Sequence, residues 1–258
     1  VFQSPRMSDG ELKDFYQAEY RQLVQDDVGP TEKDRRVQAG RARNLLKFVR
    51  KYLDLVRSHL DIGSSAGTLL EVIRKKYNCA SVGVEPGEAY RTFSQERGLE
   101  VVRDLDEIDA KHLASFDLVS MAHVLEHLPD PVGFLRNLRE GWMVPGGYLL
   151  IEVPNINGHT ALEVSHLTAY SSTALRRLLN QAGYQIVALE AHGRPRSRLI
   201  PLYLTVLAQV SSDRLSRVRH RTNPRGILAR RKIGMFWARS VSRILPGWAW
   251  LPWPELDE

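Results

Sequence analysis

The sequence predicts an α/β fold: a seven-stranded, mostly parallel sheet with helices on both faces, preceded by a helical segment and followed by a basic helical tail. Three observations lead there. Between positions 58 and 210, short apolar runs alternate with stretches whose apolar residues recur at helical spacing. One run, His59-Leu-Asp-Ile-Gly-Ser-Ser-Ala-Gly-Thr-Leu-Leu, passes from an apolar strand through a small-residue turn directly into a helix. The next run ends on a carboxylate, Glu85 in Val82-Gly-Val-Glu-Pro, 24 positions after Asp61.

The 258 residues suit one elaborated domain, divided as a helical segment over 1–57, a core over 58–210 and an extension over 211–258. Residues 1–30 carry scattered aromatics (Phe2, Phe15, Tyr16, Tyr20) and read as helical turns beside the cleft. Thr31 to Arg57 reads as a long helix, with Leu45, Leu46, Val49, Tyr52, Leu53 and Val56 on one face. Strands are expected to begin near Ser58, Ser81, Leu99, Phe116, Gly147, Tyr184 and Leu202. Helices are expected near Gly67, Gly87, Asp106, His123, Pro131 and Ser171. The longest apolar run, Leu199 to Val210, is interrupted by Pro201, Thr205 and Gln209, so it reads as a buried strand and not as a membrane span.

Charge is unevenly spread. Residues 194–258 hold 13 of the 36 Lys/Arg and 4 of the 30 Asp/Glu, a surplus of nine positive charges, while the rest is slightly acidic. The tail alternates Arg clusters with Ile227, Leu228, Ile233, Met235, Phe236, Trp237, Val241, Ile244 and Leu245, then adds Trp248, Trp250 and Trp253. Three readings stay open: a helical cap on the core, a basic amphipathic helix at an anionic membrane or over a lipid-linked substrate, and nucleic-acid binding. The last is not favoured, because the tail brings no RNA-binding motif. Cys79 is the single cysteine, which excludes an internal disulfide and a Cys-rich metal site and fits a reducing, cytoplasmic setting.

The turn itself says which ligand it suits. A dinucleotide site wants Gly-x-Gly-x-x-Gly with the pyrophosphate on the helix N-terminus. Here the turn opens with an acid, Asp61, and reads Asp-x-Gly-x-x-x-Gly. A carboxylate there repels a pyrophosphate and suits a cation. S-adenosylmethionine carries a sulfonium and an ammonium, so it is favoured over a dinucleotide. Glu85 then sits where a carboxylate accepts hydrogen bonds from two ribose hydroxyls.

These residues resemble the class I S-adenosylmethionine-dependent methyltransferases, in a subgroup like the ubiquinone-type and sugar methyltransferases. Asp61 to Gly67 looks like the family's first motif and Glu85-Pro86 like its second. Phe116-Asp-Leu-Val-Ser-Met-Ala-His-Val-Leu-Glu-His-Leu-Pro-Asp-Pro resembles the fourth strand and the helix after it. Pro145-Gly-Gly-Tyr-Leu-Leu-Ile-Glu-Val-Pro-Asn resembles the fifth strand. The likeness spans about residues 40 to 210, with the motifs in order, and implies a Rossmann-like sheet. The family usually has Gly at Ser65, so a less open loop is expected. Residues 1–16 resemble a segment that in some relatives comes after a small zinc ribbon, whose cysteines are absent here.

The resemblance implies cofactor contacts from Asp61, Gly63, Ser64, Ser65, Gly67, Glu85, Pro86, Asp104, Leu105, Met121, Ala122 and His123, with S-adenosylhomocysteine as product. For a hydroxyl acceptor the protein must align it and remove its proton, and a histidine is the natural helper near neutral pH. His166, in Ser165-His166-Leu-Thr-Ala-Tyr170-Ser171, is the first candidate, followed by His123 and His127; the acid that commonly precedes such a His is missing. His59 lies inside the first strand and reads as structural. His123-Val-Leu-Glu126-His127 matches an inverted zinc-protease pattern, which the flanks argue against. It compares better with the Glu-x-x-Glu-His metal motif of ubiquinone-type enzymes, with His123 in place of the first Glu. That makes His123, Glu126 and His127 weak metal candidates and Mg²⁺ less suitable.

No Asn/Asp-Pro-Pro-Tyr comes after the fourth strand, and Cys79 is not placed to attack a pyrimidine. The expected activity is O-methylation of a saccharide or glycan-biosynthesis intermediate, phosphorylated or lipid-linked. The alternatives are a small-molecule O-methyltransferase for a phenol or natural product, with or without a metal, and a non-catalytic scaffold of the same fold with a membrane- or partner-binding tail.

Overall fold

The computed structural model describes residues 29–109, 114–159, 165–211 and 224–252. The aromatics expected to form turns near the N-terminus, and Trp253, lie outside these residues.

The first helix, α1 (Glu32–Val49), starts in a capping box: the Thr31 hydroxyl accepts the Asp34 amide and the Asp34 carboxylate accepts the Thr31 amide. Then come β1 (Ser58–Ile62), α2 (Thr68–Tyr77), β2 (Ala80–Val84), α3 (Glu88–Glu96) and a two-residue β3 (Val101–Val102). β4 (Phe116–Ala122), α4 (Pro131–Gly141), β5 (Met143–Pro154), α5 (Ser172–Ala182), β6 (Tyr184–His192) and β7 (Tyr203–Val210) complete the core. After them come α6 (Pro224–Ile244) and a short α7 (Pro246–Ala249). The helices expected near Asp106 and His123 are single 3-10 turns, Leu105–Glu107 and Leu125–His127. Each stretch is too short for an α-helix: Asp104 caps the first, and Pro129 and Pro131 close the second before α4 begins. α1 also stops at Val49, earlier than the expected Arg57.

The seven strands are ordered β3-β2-β1-β4-β5-β7-β6, with β7 antiparallel to both neighbours and the first five parallel. Alternation along each strand divides the core in two. Leu60, Val119, Leu149, Ile151 and Val206 point to the face covered by α4 and α5. Leu118, Leu150 and Leu207 point to the other, where Leu45, Phe48 and Val49 of α1 and Leu69 and Ile73 of α2 pack.

Register positions the site. Ile62 of β1 lies opposite Val84 of β2 and Met121 of β4, and Ala122 lies opposite Glu152 of β5. The carboxyl ends of β1, β2 and β4 are therefore nearly level, β5 runs on to Pro154, and Gly63, Glu85 and His123 leave the sheet side by side. α1 crosses this same end.

Leu118 is fully buried between the sheet and α1/α2. Leu118→Ala is expected to destabilise the fold by about 2–5 kcal/mol. Urea unfolding should show a lower midpoint with an unchanged slope.

Candidate functional site

The turn after β1 holds three left-handed residues: Gly63 (φ +71°), Ser65 (φ +51°) and Gly67 (φ +72°). A β-carbon on Gly63 would run into Val124, and one on Gly67 into Leu99. Both positions need glycine for conformation and for room. The Gly63 and Ser64 amides both donate to the Val84 carbonyl, at 2.8 and 3.0 Å. Ser65 takes the left-handed conformation despite its side chain, because its surroundings hold it there. Its amide donates to Glu85 Oε2 (2.9 Å), Ser94 Oγ donates to its carbonyl (3.0 Å), and Gln38 Nε2 donates to its Oγ (3.0 Å). The expected departure at Ser65 thus keeps the turn's shape and ties it to α1.

Glu85 is buried at the end of β2, and its other oxygen accepts the Gly87 amide at 2.8 Å. Asp61 is buried too. Its Oδ1 accepts the Ser120 hydroxyl at 2.6 Å, and Ser120 Oγ lies 2.8 Å from His59 Nε2. Burial drives the His59 imidazole down to about 3, so it is neutral. Burial pushes Asp61 up to about 7; the Ser120 hydrogen bond opposes this and the Glu85 charge adds to it.

These residues face a cavity of about 860 Å³, within the range of ligand sites. Gln38, Arg41, Ala42 and Leu45 of α1 form one wall, and Tyr90 with Arg103 to Asp106 another. Ala122, His123, Val124, His127, Leu128 and Phe134 line the remaining side. Among the sequence-chosen residues, Asp61, Gly63, Ser64, Ser65, Glu85, Pro86, Asp104, Leu105, Ala122, His123 and His127 reach the cavity. Gly67 does not, and serves as the N-cap of α2. Met121 points into the core between the sheet and α4/α5. Glu126 and His166 stand behind the wall. Glu126 is 1% exposed, and His166 packs against His127 with ring centroids 5.0 Å apart.

The histidine side is built on buried carboxylates. His123 has φ +60° and lies between Glu126 (Nδ1 to Oε1, 3.3 Å) and Glu152 (Nε2 to Oε1, 3.5 Å). Burial and the Arg41 charge pull the His123 imidazole down, but the two glutamates outweigh them and hold it above its ordinary value. Glu152 is completely buried. It accepts from Arg41 Nε (2.8 Å) and Thr205 Oγ1 (3.0 Å), with His192 Nε2 at 3.4 Å. Burial pushes its carboxyl up, yet hydrogen bonds with His123 and His192 and the Arg41 charge hold it well below the usual carboxylate range. Sequence reasoning missed Glu152, Arg41 and Gln38. The signals were a lone carboxylate in the apolar run Leu149-Leu-Ile-Glu-Val and the spacing of positions 38, 41, 42 and 45 along one helix face.

Glu126, His127 and His166 offer ligand atoms within 4.8 Å of one another. Neither Glu126 oxygen meets a donor in hydrogen-bond geometry. His127 Nδ1 lies 2.9 Å from the Ser165 carbonyl, which it can only meet as a donor. The donor set therefore fits a divalent transition metal. His123 pairs with the carboxylates instead and is not part of the cluster.

Residues 33–189 match the methyltransferase domain family. The Salmonella arizonae ubiquinone biosynthesis O-methyltransferase is 30% identical over 109 residues, which is 40% of this chain and 45% of that protein. The chain thus spans under half the length of the curated relatives it matches. Among solved structures, the Burkholderia thailandensis 1,6-didemethyltoxoflavin-N1-methyltransferase, with bound 1,6-didemethyltoxoflavin and S-adenosylhomocysteine, superimposes with a TM-score of 0.60. It is 18% identical and covers 81% of this chain and 93% of its own. A methyltransferase from Aquifex aeolicus gives 0.53 at 17% identity, with 80% and 100% covered.

With Asp61 titrating at about 7 in the free protein, acidification removes the charge that a sulfonium or ammonium would meet. Affinity for S-adenosylmethionine is expected to fall as pH drops below about 7, approaching tenfold per pH unit. Asp61→Asn should weaken binding at neutral pH and flatten this dependence. Calorimetric titrations of both chains across the pH range check it.

Proposed function

We propose that this chain, a member of the methyltransferase domain family, is an S-adenosylmethionine-dependent methyltransferase that methylates an oxygen of a saccharide or glycan-biosynthesis intermediate. The observation that carries the reading is the division of one cavity: Asp61 and Glu85 at the level strand ends on one side, His123 and His127 on the other. Support for a sugar acceptor comes from the resemblance around His166 to Ser171 and from the basic tail, which suits a phosphorylated or lipid-linked substrate. A cytoplasmic setting is part of the proposal, supported by a single cysteine, Cys79, buried and free.

In this reading Asp61 and the Gly63 to Gly67 turn hold the methionine part, Glu85 the ribose, and Asp104 and Leu105 the adenine. Held there, S-adenosylmethionine would supply an electrophilic methyl group for the acceptor oxygen, with S-adenosylhomocysteine as the leaving group. His123 lines the cavity with both ring nitrogens turned to buried carboxylates, so it fixes the wall beside the acceptor. His127, which lines the same cavity, takes the acceptor's hydroxyl proton, and His166 packs against His127.

A second reading is favoured by the Glu126, His127 and His166 cluster: a metal-assisted O-methyltransferase for a phenol or natural product. Glu126, His127 and His166 would hold the ion, which would draw the acceptor hydroxyl toward ionisation.

The purified chain, assayed with S-adenosylmethionine against panels of nucleotide sugars, glycan intermediates and catechols, is expected to methylate a saccharide with no loss on chelation. His127→Ala should lower kcat by about 10²–10⁴-fold and leave cofactor affinity within about threefold. Turnover confined to catechols and abolished by a chelator would replace this reading with the metal-assisted one.

A further inference from the structure

Of the eleven large apolar side chains that are exposed among the described residues, eight lie between Leu228 and Trp250. Five belong to α6, Trp248 belongs to α7, and Leu245 and Trp250 flank α7; α6 presents three distinct faces. The first packs on the body: Ala238 and Val241 are buried with Ile200, Leu202 and Tyr203, and Gly234 sits tightly against the Asn157 carbonyl. Arg231 donates to the Ile156 carbonyl and Trp237 Nε1 to the Leu199 carbonyl (3.0 Å). The second face is an apolar stripe in water. Ile233, Phe236, Trp237 and Ile244 fall at i, i+3, i+4 and i+11, with exposures of 68%, 73%, 50% and 74%. Trp248 of α7 is also exposed, at 56%. The third face carries Lys232, Arg239 and Arg243, all exposed, at i, i+7 and i+11.

Residues 224–252 contain six Lys/Arg and no Asp/Glu. A solvated helix ordinarily balances its cations with acids one turn away, and this one balances none within its own length. A water-exposed stripe of Ile, Phe and Trp beside an unbalanced row of cations calls for a partner that is apolar and anionic at once.

We propose that α6 and α7 dock the protein in the plane of an anionic lipid bilayer. The Ile233–Phe236–Trp237–Ile244 stripe enters the boundary between headgroups and acyl chains, and Lys232, Arg239 and Arg243 meet the lipid phosphates. Indoles prefer that depth, having an apolar body and a polar N–H. The other occupants fit less well. A nucleic acid would match the cations and leave Ile233 and Ile244 in water, and a second copy across a two-fold axis would bring cations toward cations. No helix among the described residues is long and apolar enough to cross a membrane, so docking is peripheral. The platform under α6 includes Tyr203, whose ring lies 5.4 Å from that of His123. Docking therefore brings the His123 side of the cavity toward the lipid. This inference rests on the tail alone and not on the identity of the acceptor.

The test uses the full chain with phosphatidylcholine vesicles, with and without phosphatidylglycerol, read by co-sedimentation and tryptophan emission. Binding to the mixed vesicles is expected, with a blue-shifted emission, at least about tenfold weaker binding without phosphatidylglycerol, and weakening by salt. Lys232→Ala/Arg239→Ala/Arg243→Ala and Ile233→Ser/Phe236→Ser should each lose about tenfold or more. Because these side chains are exposed, thermal unfolding and S-adenosylmethionine affinity should stay as in wild type. Absence of vesicle binding by a chain that still binds S-adenosylmethionine would overturn docking and leave methyl transfer standing. Equal binding to both vesicles would overturn it as well. So would tighter binding to an RNA oligonucleotide that Phe236→Ser does not change, or a dimer in sedimentation that Phe236→Ser dissolves.

Discussion

The level alignment of β1, β2 and β4 at their carboxyl ends is the constraint on which the site depends. Because Ile62 stands opposite both Val84 and Met121, one carbonyl, that of Val84, can take the amides of Gly63 and Ser64. The next residue along β2, Glu85, then reaches back to the Ser65 amide. Two strands and a turn close on one another through main-chain donors and a single carboxylate. A one-residue slip of β2 would turn Glu85 to the opposite face and leave those amides without acceptors. The proposed cofactor site is thus a by-product of sheet register, and the glycines are needed because Val124 and Leu99 crowd the turn from outside.

A second constraint is buried charge. Glu152 has no exposed surface, and a carboxylate in that position is tolerable only with partners. Arg41 comes from α1, His123 from the end of β4, and His192 and Thr205 from β6 and β7. Four elements distant in sequence are therefore pinned around one side chain, and the imidazole facing the cavity is held as part of the same cluster. Asp61 shows the opposite balance: its nearest partners, Ser120 and beyond it His59, are neutral, so it remains poised for a cation. Asp61 at the cavity lacks the cations that Glu152, behind His123, has.

Much of this was legible in the residues. The strand-turn-helix of positions 58–70 and Glu85 at its spacing appear where expected, because both are local patterns backed by apolar periodicity. Less legible was anything decided by long-range packing. The short turns at Leu105–Glu107 and Leu125–His127 sit in stretches of helix-compatible residues, and local capping and prolines ended them. Met121 sits beside Ala122 and His123 in sequence, but strand alternation sends it into the core. His166 looks foremost from its loop, whereas the fold sets it behind His127. Glu152 escapes notice because its meaning depends on Arg41, 111 positions away.

The central claim is that the Glu85 carboxylate both fixes the turn and holds the cofactor's ribose. Calorimetric titration of wild type and Glu85→Gln with S-adenosylhomocysteine tests it most directly. The glutamine keeps an acceptor oxygen for one of the two amides that Glu85 holds, sets its NH2 against the other and loses the charge-assisted hydrogen bonds, so affinity is expected to fall by about tenfold or more, with a lower melting temperature in a chain that still folds. Unchanged affinity in a folded variant would contradict the assignment of this cavity as the cofactor site.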